Sequence, residues 1–414
     1  MDAAITAEAR RWAVLFAGVV AITAGCAFQY GLPFLVPGLR AQGMSLGLAA
    51  TLVACPSAGL LLTLVAWGAA ADRWGERAVL STGLALAVPA LLGASVAGDP
   101  VLLGGALVTA GAAGACVHAA SGRLILGWFG AHERGLAMGI RQTAQPLGVG
   151  LSALALPELG SGGPGPAFAA LAGFCALAVV VVVLVVRDPQ HTGGGAAPAG
   201  PSPYHGPRLW RLHASSALLV VPQFTVAAFA LTYLVDRLGW APAAGGRLLA
   251  LAAAAGAVAR LTAGWWSDRV GSRVGPLRRV AAGIGLAMAT LAAVAVVVQR
   301  AALHQVTPHQ IGDQHAGALQ VATLPAAAAI TALLVASVLT VSPNGLAFTA
   351  VAESAGRAWA GRALGIQNTG QNAVAALTPP VMATLVSGHG YPLSFATAGL
   401  PAALAWALIP RDRR

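Results

Sequence analysis

Long apolar runs alternate with short polar segments along the 414 residues of the chain. Most runs hold roughly 20 residues, which is the length of an α-helix that crosses a bilayer core of about 30 Å. Glycine, proline and charged residues are frequent between the runs. The pattern predicts an all-α membrane protein with twelve spanning helices, at 12–36, 46–69, 78–97, 101–127, 135–157, 166–186, 212–235, 243–266, 279–298, 324–350, 363–386 and 391–409.

The composition agrees with a membrane protein. Hydrophobic residues make up 57% of the chain and charged residues 9%, whereas soluble domains have about 25% charged residues. The formal net charge is +11, but the arginines that carry it are spread over the short segments between apolar runs. We therefore predict a lipid bilayer as the main surroundings of the chain, and no nucleic acid as a partner.

The arginines are shared unequally between the two sides of the predicted membrane. An even number of spans places both termini on one side, and most arginines fall on that side: Arg10, Arg11, Arg73, Arg77, Arg134, Arg187, Arg208, Arg211, those of 269–279, Arg357, Arg362 and those of 411–414. The other side has Arg40, Arg237, Arg247 and Arg300. Because basic loops stay in the cytoplasm, we predict a multi-pass protein of the cytoplasmic membrane with both termini cytoplasmic.

One segment separates two sets of six spans. Residues 188–204 are rich in glycine, alanine and proline and contain no apolar run, a composition typical of flexible linkers. We predict an N-terminal bundle at 1–187, a cytoplasmic linker at 188–211 and a C-terminal bundle at 212–414.

A short polar motif, G-x-x-x-D-R-x-G-x-R, occurs once in each half between two apolar runs. The second copy begins 196 residues after the first. Its defining residues are Gly68, Asp72, Arg73, Gly75 and Arg77 in the first copy, and Gly264, Asp268, Arg269, Gly271 and Arg273 in the second. The position and spacing predict a tight loop between two helices at each site.

Both copies resemble the loops of the major facilitator superfamily (MFS) of secondary transporters, which lie between helices 2 and 3 and between helices 8 and 9. The resemblance implies two pseudo-symmetric six-helix bundles, a solute site near the middle of the membrane and transport by alternating access. It also implies that the loops act as gates, holding one conformation of the transport cycle. The alternative is that their arginines only set the topology.

A second match between the halves lies inside predicted spans. Residues 139–145 (GIRQTAQ) match residues 365–371 (GIQNTGQ), 226 positions later. Arg141 and Gln145 share a helix face because they lie four residues apart, as do Gln367 and Gln371. Such faces either line a cavity or hydrogen-bond to a neighbouring helix. Since both halves have one at the same place, we predict that these four residues bind solute.

Other polar side chains inside the spans are further candidates. The resemblance implies a functional arginine in span four, where Arg123 lies, although an arginine near a helix end also snorkels to the interface. His118 in the same span is either a packing residue or a proton carrier. Additional solute-binding candidates are Gln29, Tyr30, Gln223, Phe224 and Asn344.

Several features are missing from the sequence. No Asp or Glu lies well inside a predicted span, and the glycine-rich span-five signature of drug–proton antiporters is incomplete around Pro146, which argues against drug efflux. No nucleophile–base or metal-ligand spacing occurs, so we predict no enzyme activity, no cofactor and no metal site. The external residues His304, His309, Asp313 and His315 also fit no standard metal spacing.

The stretch 128–148 resembles bacterial permeases near the cyanate and nitroimidazole transporters. Together with arginine inside the spans and no carboxylate to offset it, this favours transport of a small polar or anionic solute. The resemblance implies coupling to protons, with the protein acting as a monomer. An efflux antiporter for drugs or metabolites is the alternative, and a non-transporting membrane receptor is the alternative from another class.

Overall fold

The computed structural model of the protein describes residues 2–119, 128–129, 137, 140–187, 202–304, 315–356 and 359–411. Every regular element in these ranges is a helix. The chain forms two compact units, Met1–Ala197 and Pro198–Arg414.

The first unit contains a short 3-10 helix, Leu32–Leu35, and six α-helical elements. These are α1 (Asp2–Tyr30), α2 (Val36–Ala41), α3 (Leu46–Ser95), α4 (Pro100–Gly114), α5 (Ala144–Leu159) and α6 (Gly165–Val185). The second unit begins with the 3-10 helix Pro203–His205. It continues with α7 (Pro207–Leu238), α8 (Pro242–Val270), α9 (Val274–His304), α10 (His315–Val341), α11 (Pro343–Ala355) and α12 (Ala360–Leu408).

Nine helices within the described residues are long and apolar enough to cross a membrane. They correspond to predicted spans one to four and six to ten. The remaining three spans fall in α5 and in the two parts of α12 on either side of Gly390. The all-α fold is therefore confirmed: the described ranges form twelve α-helices and contain nine segments that can span a bilayer by length and hydropathy.

Four breaks shape these helices: two lie between predicted spans, as the sequence predicts, and two lie inside predicted spans. Spans two and three join in α3, where Gly75 (φ 83°) turns the chain between them, and Gly390 (φ 82°) does the same in α12. Only glycine takes such a conformation at little cost. Predicted spans one and ten are each interrupted, at Gly31 and at Ser342, by turns whose next helix has a proline in its first turn.

Close helix contact positions the polar residues of the first unit. A Cβ atom added to Gly148 of α5 would lie 2.6 Å from the carbonyl oxygen of Thr23 and 3.0 Å from Cβ of Cys26, both in α1. Glycine thus lets the two backbones approach, as is common between helices in lipid. The polar residues that precede Gly148 are thereby held beside α1.

Candidate solute site and charged loops

A polar cluster in the first unit joins the end of α1 to the helical turn after α4. His118 Nε2 lies 2.6 Å from Gln29 Oε1, and since an amide oxygen only accepts, the imidazole N–H donates. Gln29 is buried and its Nε2 donates to the carbonyl oxygen of Gly111 at 3.4 Å. The two ends of the Gln29 amide thus bond to α4 and to the helical turn that follows it.

Two further predicted residues adjoin this cluster. The Tyr30 ring stands edge-on to His118 with centroids 5.8 Å apart. Arg141 is close enough for its charge to act on His118, and like Gln145 it is half-buried and in contact with neighbours. The structure therefore brings Gln29, Tyr30, His118 and Arg141 together, whereas Arg123 lies outside the described residues.

The second unit contains a matching hydrogen bond. Asn344 Nδ2 donates to Gln223 Oε1 at 3.2 Å, between α11 and α7. Asn344 follows His118 by 226 residues, the same offset as the repeat of 139–145, and Gln223 follows Gln29 by 194. In each unit, therefore, a hydrogen bond joins the first helix to the fourth span at corresponding positions. Of these two pairs, only that of the first unit contains a titratable histidine. Phe224 is half-buried beside Gln223.

A longer hydrogen-bonded chain lies between α7 and α12. His213 Nδ1 is 2.8 Å from Gln367 Oε1, and Gln367 Nε2 donates to Ser216 Oγ at 2.7 Å. Gln371 Nε2 donates to the same Ser216 oxygen at 2.8 Å. His213 Nε2 lies 3.1 Å from the Tyr204 hydroxyl, and the two rings are stacked.

The sequence predicted Gln367 and Gln371 in this chain but missed Tyr204, His213 and Ser216. His213 and Ser216 lie three residues apart in α7, so they occupy one helix face. Gln223 continues this face two turns later. That polar stripe is the signal that would have identified them.

The second motif copy forms a charged cluster. Arg273 makes an ion pair with Asp268, and its Nε donates to Glu353 Oε1 at 3.0 Å. Its Nη1 also donates to Ser267 Oγ at 3.0 Å. Partial burial would lower the pKa of Arg273, but hydrogen bonds and charge interactions with Asp268 and Glu353 raise it overall, so the guanidinium stays charged. The cluster joins the end of α8, the start of α9 and the end of α11.

In the first motif copy, Arg77 contacts the last turn of α6. Arg77 Nη2 donates to the carbonyl oxygen of Val183 at 2.6 Å, near the end of α6, where helix carbonyls lack internal partners. The neighbouring Glu76 is buried, whereas its counterpart in the second copy is Ser272. The two copies therefore differ at the residue that precedes this arginine.

Among the remaining motif residues, Arg73, Arg269 and Gly271 are exposed, whereas Gly68 and Gly264 are half-buried and Gly75 is buried. Arg73 stacks over Trp74 at 5.6 Å and Arg269 over Trp265 at 4.3 Å. Gly271 has φ 67° and ends α8, and a Cβ atom at Gly68 or Gly264 would meet nothing within 4 Å. Of Asp72, only its position in α3 is described.

No group of three His, Cys, Asp or Glu side chains among the described residues is arranged to hold a metal ion. His304, His309 and His315 fall outside the side chains that the structure describes.

Comparisons with known proteins agree with this architecture. Residues 14–304 match the family model described as Major Facilitator Superfamily. Two uncharacterized MFS-type transporters, from two strains of Mycobacterium tuberculosis, are each 38% identical over 410 residues, which cover 98% of this chain and 86% of the relative.

Solved structures share the fold at low sequence identity. A bacterial homolog of the human lysosomal transporter Spinster, inward-facing and occupied, has a TM-score of 0.73 and 15% identity, with 97% of this chain and 96% of that chain covered. A D-xylose–proton symporter has a TM-score of 0.73 and 16% identity, with 96% and 98% covered. With the family match over most of the chain, the protein belongs to the major facilitator superfamily and is an MFS-type transporter.

Proposed function

We propose that this transporter moves a small polar or anionic solute across the cytoplasmic membrane by alternating access, coupled to protons. The observation that carries the proposal is the cluster of Gln29, His118 and Arg141. No Asp or Glu occurs in 12–36, 101–127 or 135–157, the three predicted spans that supply these residues. A guanidinium at membrane depth without an acidic residue in its own spans favours an anion as its partner.

The resemblance of 128–148 to permeases near the cyanate and nitroimidazole transporters supports the same solute class. We propose that the protein works as a monomer with bundles at 1–187 and 212–414, joined by a cytoplasmic linker at 188–211. The two motif loops would gate access to the solute.

Proton coupling is proposed at His118. When the site is empty, the charge of Arg141 opposes a second positive charge on the neighbouring imidazole. A bound anion offsets the arginine charge and makes protonation of His118 more favourable. Anion and proton then bind cooperatively, because each favours the other to the same extent.

The variant His118→Asn tests this coupling. Asparagine is the residue at the corresponding position of the second unit, where it still bonds to a glutamine. In proteoliposomes we expect the wild type to accumulate an organic anion when an inward proton gradient is imposed. The variant should bind the anion at constant pH yet lose accumulation driven by the gradient. Unchanged accumulation by His118→Asn would exclude His118 as the coupling residue.

Topology is tested separately with reporter fusions. Because the arginines concentrate on one side, fusions after Arg77, Tyr204 and Arg273 should report a cytoplasmic location. A fusion near His309 should report an external one. A cytoplasmic signal near His309 would contradict the proposed orientation.

A further inference from the structure

The hydrogen-bonded chain between α7 and α12 fixes the orientation of one side-chain amide, that of Gln371. We infer that His213, Gln367 and Ser216 are positioning residues that make Gln371 present its amide oxygen to the solute, so that the solute carries a hydrogen-bond donor such as a hydroxyl group. This inference rests on the proposed function, because it takes the solute to be a small anion.

Gln367 has no amide group left over for a solute. Its Oε1 receives the His213 Nδ1–H and its Nε2 donates to Ser216. Gln367 and Ser216 are each 2% exposed. A buried amide whose two ends are both bonded holds one orientation, since reversing it would break two hydrogen bonds at once.

Tyr204 maintains the orientation from the other side of His213. Nδ1 donates to the amide oxygen of Gln367, and Nε2 bonds to the Tyr204 hydroxyl at 3.1 Å. The stacked rings lie 5.9 Å apart, and the Tyr204 ring also contacts Trp210 and Trp359. The imidazole is therefore held in one position between Gln367 and Tyr204.

Ser216 also fixes the orientation of the Gln371 amide. Its oxygen accepts from Gln367 Nε2 and from Gln371 Nε2. Gln371 lies one turn beyond Gln367 on the same face of α12 and is half-buried. With its nitrogen on Ser216, the amide oxygen of Gln371 points away from that serine. The second unit thus offers an acceptor at this position.

An acceptor in a partly desolvated site discriminates between solutes. A solute with a hydroxyl group satisfies the amide oxygen, whereas an analogue without the group leaves it unpaired. A hydroxy acid should therefore bind better than the corresponding acid that lacks the hydroxyl. We expect a preference of about tenfold, which corresponds to about 1.4 kcal/mol.

The experiment compares lactate with propionate, and malate with succinate, on the purified full-length protein by titration calorimetry. Ser216→Ala removes the oxygen that orients Gln371, so the preference for the hydroxy acid should fall several-fold while binding of the deoxy acid stays the same. Ser215→Ala is the matched control, because Ser215 is equally buried but bonds only to a carbonyl of its own helix. It should retain the preference.

Different failures have different meanings. Equal affinity of the wild type for both members of each pair, or an unchanged preference in Ser216→Ala, overturns the inference and leaves anion transport intact. Binding of none of the four acids contradicts the proposed anionic solute and the inference with it. If Ser216→Ala does not fold, Gln371→Leu decides: it removes the acceptor itself and should abolish the preference.

Discussion

Arg141→Gln should weaken binding of an anionic solute roughly 10- to 100-fold. Hydrogen bonds to charged groups contribute about 1.5–3 kcal/mol, and about 1.4 kcal/mol corresponds to a factor of ten in affinity. Glutamine is the residue at the corresponding position of the second half, so its size and polarity suit the helix. A neutral or cationic solute should bind as well as before or better, because the substitution removes a positive charge. Titration of the purified variant with both kinds of solute measures the effect.

Arg141→Lys should recover only part of the lost affinity. Lysine keeps the charge but cannot form the paired hydrogen bonds of a guanidinium with a carboxylate. Partial recovery would show that geometry contributes in addition to charge.

Arg260→Gln is the control for removal of an arginine within a span. Arg260 Nε donates to the carbonyl oxygen of Val341 at 2.9 Å, at the end of α10, so its removal should lower thermal stability without changing anion affinity. An anion affinity unaffected by Arg141→Gln would place that arginine against a helix partner or lipid headgroups. The efflux alternative would then become the better explanation of the polar residues.

Loss of the charged cluster at the second motif should slow transport about tenfold with little change in stability. Arg273→Gln removes the group that both carboxylates share. Asp268 is 66% exposed and Glu353 54% exposed, and exposed ion pairs contribute at most about 1 kcal/mol to folding. Because Arg273 makes two such pairs, their loss together can bias two conformations by about 1.4 kcal/mol, which changes the ratio of the conformations tenfold. We therefore expect an effect on the transport cycle, measured as the uptake rate at saturating solute in proteoliposomes.

The two carboxylates should each account for part of that effect. Asp268→Asn and Glu353→Gln keep side-chain size and remove one charge each, so each should slow uptake less than Arg273→Gln does. Arg279→Gln is the control, since this nearby arginine stacks on Trp266 at 5.6 Å. Wild-type uptake rates in all three cluster variants would leave the loop with a topological role only.

The membrane fold could be predicted because it depends on local properties. A run of apolar residues long enough for the bilayer specifies a spanning helix whatever its neighbours are, and the motif repeat at Gly75 and Gly271 located two of the turns. The breaks at Gly31 and Ser342 were missed, because the apolar pattern continues across them. Their turns depend on prolines whose effect on hydropathy is small.

The sequence indicated many of the polar residues inside the spans, but not which side chains they hydrogen-bond to. The repeat of 139–145 indicated Arg141 and Gln371, since position in a repeated helix face is visible in the sequence. The bonds of Gln29 with His118, of His213 with Gln367 and of Arg273 with Glu353 join residues 89, 154 and 80 positions apart. Which side chains meet depends on how each helix is rotated and how closely it packs. The sequence by itself therefore determined the spanning helices, the repeat and the residue types at membrane depth. The tertiary structure alone decided the hydrogen-bond partners, because helix packing sets distances between residues that are remote along the chain.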